Sequence, residues 1–117
     1  MNDLVTWLRA QIDEDERMAR SCRHQVWTRD GGMIIADHAT EEIVVDWVYC
    51  EGAWDHIPRW DPARVLGEVR AKRWLLDEII GELADDSESV MDRLRLQHLA
   101  LPYADREGYD PSWRPEE

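Results

Sequence analysis

The chain has 117 residues, 44% apolar and 34% charged, which suits one folded domain (1–117) and leaves no room for a second independent core. Lys and Arg total 14 against 26 Asp and Glu, a formal charge of −12 that repels phosphate backbones and argues against direct nucleic-acid binding. No apolar run reaches membrane-spanning length, and the opening Met1, Asn2 and Asp3 are acidic rather than signal-like, so a cytoplasmic protein with no membrane partner is expected.

Residues 3 to about 23 read as an amphipathic helix, with Asn2 or Asp3 as cap and Leu4, Val5, Leu8, Ile12, Ala19 and Cys22 at three- and four-residue spacing. Residues 24–28 and 33–37 read as strands joined by a turn at Arg29, Asp30, Gly31 and Gly32. Residues 43–50 form the strongest strand pattern, β-branched and aromatic almost throughout. Residues 54–60 read as a loop. Asp61 as N-cap and Pro62 at the first helical position then start a helix that runs to about Ala84. A last helix spans about 88–101 and stops at Pro102. Residues 103–117 read as an extended tail whose Tyr103, Tyr109 and Trp113 pack back on the body. The fold class expected is α+β, in the order α-β-β-β-α-α, with a small antiparallel three-stranded sheet and helices on one face.

Seven Trp and three Tyr accompany no Phe, so much of the aromatic surface carries a polar edge that wants a partner. Charges also interrupt the apolar stripes. Asp15 lies in the middle of the stripe of Leu4, Leu8, Ile12 and Ala19. Lys72 lies within that of Val65, Val69, Leu76, Ile80 and Leu83, with Arg73 at its edge. A buried lone charge costs several kcal/mol, so a structural ion pair of Asp15 with Lys72 or Arg73 is expected between two packed helices. The same residues, with His24 and His98, form the candidate ligand-binding set.

No catalytic constellation and no metal site emerges. Cys22 and Cys50 make no spaced pair and are expected to be free thiols, and His24, His38, His56 and His98 form no H-x-x-x-H pattern. The acids Asp13, Glu14, Asp15 and Glu16, with Glu78, Glu82 and Asp85, have the chemistry to hold Mg²⁺ as facing-helix pyrophosphatases do, but no phosphate loop accompanies them. A solvated acidic face accounts for them, and no cofactor is expected.

Three blocks stand together: residues 8–16, residues 61–73 (Asp61, Pro62, Ala63, Arg64, Val65, Leu66 through Ala71, Lys72, Arg73), and Leu99, Ala100, Leu101, Pro102, Tyr103, Ala104, Asp105 followed by Trp113, Arg114, Pro115. In that order they resemble a small domain-of-unknown-function family of actinobacteria and their tailed phages. The resemblance implies a compact cytoplasmic protein, often phage-encoded, and supplies no activity. Members of that family often carry His where this chain has Trp60 and Arg106, and a Cys-containing insert where it has residues 83–88, so the residues that a zinc site shared by the family would draw on do not stand at these positions.

The leading expectation is a non-enzymatic acidic protein that binds a host protein, in counter-defence or host modulation, through polyanion-like charge. The alternative is a small-ligand or nucleotide-binding domain, extending to a metal-dependent nucleotide hydrolase, using Asp15, Lys72 and Arg73. A homodimer through exposed Trp side chains is a third reading.

Overall fold

The computed structural model describes residues 2–37, 39–40, 42–46, 52–85 and 90–116. The elements run α1 (Asn2–Ser21), β1 (Thr28–Asp30), β2 (Met33–Asp37), β3 (Glu42–Val45), α2 (Ala53–Arg59), α3 (Pro62–Asp85) and α4 (Val90–Ala100). Two 3-10 turns follow, Leu101–Tyr103 and Pro111–Trp113. The class is α+β, with a helix first, a three-stranded antiparallel sheet next, and helices after it. The chain forms two compact units, Asp15–Glu68 and the discontinuous pair Met1–Glu14 with Val69–Glu117.

In the unit Asp15–Glu68, the strands lie in the order β1-β2-β3, each pair antiparallel. Asp30 pairs with Met33, so the hairpin loop is only Gly31 and Gly32, and Gly31 has the positive φ of 59° such a loop demands. Ile34 and Ile35 are both buried although a regular strand would send them to opposite faces, and the β2–β3 register shifts at this point.

Two expectations for this unit need correction. The first strand covers Thr28–Asp30 rather than 24–28, because the backbone before it is already used. Gln25 O accepts from Ala63 N at 2.8 Å, and Trp27 N donates to Asp61 Oδ2 at 3.1 Å. The stretch expected to be a loop at 54–60 is helix α2, opened by His56 N donating to Gly52 O at 3.0 Å. Pro58 sits in its last turn at the place where an N–H would reach back to Trp54 O, so α2 goes without that bond, and Trp60 N closes the end on Ile57 O. Of the strand expected over 43–50, the part at 47–50, with Trp47 and Cys50, lies outside the described residues, as does His38.

Asp61 caps α3 as its sequence position suggests. It is only 8% exposed, and its Oδ1 accepts from Arg64 N at 2.9 Å while Oδ2 serves Trp27. One carboxylate thus both starts a helix and fixes the chain entering the sheet.

The other unit buries Leu4, Leu8 and Ile12 from α1, Val69, Leu76 and Ile79 from α3, and Leu96 and Ala100 from α4, closed by Tyr103. The stretch after α4 is tied down by its rings. Trp7 stands 5.5 Å from both Tyr109 and Trp113, and its Nε1 donates to Glu107 O at 3.1 Å. Gly108, at φ 89°, allows that approach, since a Cβ there would lie 2.7 Å from Trp7 Nε1.

Candidate functional site

α3 and α4 form an antiparallel hairpin. Glu82 meets Arg95 at one end, and Lys72 meets Tyr103 just past the other. Between them runs a groove of about 590 Å³ lined by Trp74, Leu75, Glu78, Ile79, Glu82, Arg95, His98 and Leu99. The α3 side follows from helical spacing. Trp74, Glu78 and Glu82 recur every four residues as one ridge, and Leu75 and Ile79 form the ridge beside it. Ile79 is buried, yet Trp74 is 63% and Leu75 45% exposed, an apolar investment that the fold itself leaves in water.

The Glu82 end of the groove is short of positive charge. Asp92 is 4% exposed and takes Arg95 Nη1 at 2.8 Å, while Glu82 Oε2 shares the same nitrogen at 3.3 Å. One guanidinium therefore serves two carboxylates, and Glu78 stands one turn away. A hydrogen bond with Asp92, then the charge of Asp92, hold the Glu82 carboxyl above its ordinary value of 4.5, with Arg95 opposing and Glu78 adding to the rise.

Of the residues singled out from the sequence, Lys72, Arg73 and His98 belong to the unit that carries the groove, and Asp15 and His24 to the sheet unit. Lys72 donates to Tyr103 Oη at 2.8 Å and lies 4.7 Å from that ring's centre, with the Arg106 guanidinium 4.6 Å from it too. Arg73 donates to Asp13 Oδ1 at 2.7 Å, beside a recess of about 220 Å³ lined by Arg9, Ile12, Asp13, Arg73, Leu76 and Asp77. That recess is smaller than the ~300–1,000 Å³ usual for small-molecule sites. Asp15 is half-buried and partnered, and belongs to the other compact unit.

His24 Nε2 lies 3.0 Å from Glu42 Oε2 and 3.6 Å from Asp37 Oδ2, without a well-aligned hydrogen bond to either. Asp37 itself accepts from Thr40 Oγ1 at 2.8 Å and Ala39 N at 3.1 Å, and these bonds, in that order, then the His24 charge, lower its pKa. Of the candidate set, only His98 reaches the α3–α4 groove. Among the described residues no group of three or more His, Cys, Asp or Glu is arranged to hold a metal ion, and no helix is long and apolar enough to cross a membrane.

Nothing in the spacing of the core stripe marks this groove. Trp74 and Leu75 lie outside the predicted core stripe, and that leftover apolar pair was the available signal. No curated protein and no solved structure significantly matches the chain. The match to a family profile, by contrast, runs over residues 1–115, nearly the whole sequence, and on that ground the chain belongs to the family of unknown function DUF6221.

Proposed function

We propose that this chain is a non-enzymatic interaction protein that seats part of a basic protein partner in the groove between α3 and α4. The observation that carries the reading is the pairing of exposed Trp74 and Leu75 with the charge-deficient cluster of Glu78, Glu82 and Asp92 around one arginine. An apolar floor supplies affinity by burial, and an acid-rich end selects a cationic partner and speeds its approach. The formal charge of −12 acts in the same direction at longer range. A phage-encoded origin, as the sequence resemblance implies, would make that partner a host protein and the role host modulation.

The test uses tagged protein as bait in a lysate, wild type beside Leu75→Asp. A stoichiometric basic partner held by wild type, released by salt and lost with Leu75→Asp supports the reading. A partner retained equally by both removes the groove from it.

A further inference from the structure

We infer that the occupant of the α3–α4 groove is an amphipathic helix, its apolar anchors over Leu75, Ile79 and Leu99 and a Lys or Arg reaching the Glu78–Glu82 end. The inference rests on the proposed function and names the form and polarity of the partner segment. The floor is built only of side chains on two helices whose backbone groups are bonded internally, so an extended segment would find no strand edge to pair with. A helix brings its own backbone hydrogen bonds and offers only side chains. The stretch from position 74 to 82 spans about 12 Å, which two helical turns cover with anchors at i, i+3 or i+4, and i+7.

Charge sets the polarity. At the Glu82 end, Arg95 is committed to the buried Asp92 and only shared with Glu82. A cation from the occupant would relieve Glu82 and Glu78 inside a site from which the occupant itself excludes water, where such a pair counts for more than on an open surface. The rest of the lining is Trp74, Leu75, Ile79 and Leu99 beside His98, with the 63% exposed Trp74 ring open to the arriving side chains.

The experiment selects an unbiased displayed library of 16-residue peptides on the full chain at low salt. Enriched peptides are expected to share apolar residues at i, i+3 or i+4, and i+7 with a Lys or Arg one turn beyond. They should lose at least tenfold in affinity for Leu75→Asp or Trp74→Ala, and as much when a proline is placed mid-peptide. Glu82→Gln should weaken them several-fold and flatten the salt dependence. Both Trp74 and Leu75 are exposed, so these variants are expected to keep the wild-type circular dichroism. Peptides without helical periodicity, peptides indifferent to Leu75→Asp, or no enrichment at all would overturn the helix. A lysate partner still lost with Leu75→Asp would leave the broader reading standing in each of those cases. Self-association of the free protein that Leu75→Asp abolishes would make a second copy the occupant and overturn the inference as well.

Discussion

Lys72 Nζ donates a 2.8 Å hydrogen bond to Tyr103 Oη while lying 4.7 Å from the centre of the same ring, so one ammonium is held by both the edge and the face of one tyrosine. The lysine that interrupts the α3 stripe therefore has a partner 31 residues ahead of it. Tyr103→Phe keeps the ring and removes the acceptor, and is expected to cost about 0.5–1.5 kcal/mol. Lys72→Met should cost a similar amount, and the double variant less than the sum. Urea unfolding of the four-membered cycle reads this, and strict additivity would dismiss the coupling.

Arg73 and Asp13 form a shorter contact of 2.7 Å, but their side chains are 38% and 68% exposed. Distance alone would overrate this pair. Asp13→Asn is expected to cost only about 0.2–1 kcal/mol, shrinking further in salt. A loss well above that, unchanged by salt, would show the pair to be shielded from solvent.

Asp61→Ala strips the N-cap of α3 and also leaves Trp27 N without its acceptor. A cap alone is worth about 0.5–2 kcal/mol, and the second orphaned group should push the loss to the upper end of that range or past it. Asp61→Ser restores the cap and is expected to recover only part, because one hydroxyl cannot serve both amides. Equal stability of the Ser variant and wild type would show that the Trp27 bond contributes nothing.

Two carboxylates give opposite pH dependence. Asp37 has its pKa lowered by Thr40, so its contribution is in place above the ordinary value of 3.8 and is lost as pH falls through the folded value. Glu82 has its pKa raised by Asp92, so its contribution is complete below 4.5 and is lost as pH rises through the higher folded value. Stability measured against pH should accordingly lose part of its acid-side slope in Asp37→Asn. Glu82→Gln should instead raise stability at neutral pH relative to acid, and a lower neutral-pH stability would contradict the assignment.

Gly108→Ala is expected to destabilise by more than about 1 kcal/mol, since it meets both a left-handed backbone and the Trp7 ring. Gly32→Ala, with open space at its Cβ and no left-handed φ, is the control.

The legible parts of the fold were those with local physical causes. Asp61 and Pro62 announced α3 because capping depends on a few adjacent atoms. The spacing of Leu4, Leu8 and Ile12 announced the buried face of α1 because burial repeats with the helix. Residues 24–27 were misread as strand because their backbone partners, Ala63 and Asp61, lie more than 30 residues away and leave no periodic trace. Helix α2 was hidden by Pro58, whose penalty depends on where in a helix it falls. At the candidate site, His98 is legible from its chemistry alone, while Trp74 and Leu75 are not, because an apolar residue off the core stripe looks like scatter until a second helix is set beside it.

Trp7 and Glu107 are joined across 100 positions of sequence, whereas the sheet unit is a single uninterrupted stretch. Closing so long a loop costs about 1.4 kcal/mol more than closing one of 20 residues, and that entropy is spent before the Trp7 contacts return anything. The order of events in refolding should follow: the β hairpin and the Asp61 cap, drawn from neighbouring sequence, form first, and the aromatic clasp on α1 forms last. A stopped-flow trace should then show the Trp7 environment maturing after the far-ultraviolet signal, with Gly108→Ala hastening unfolding while leaving the refolding rate nearly unchanged.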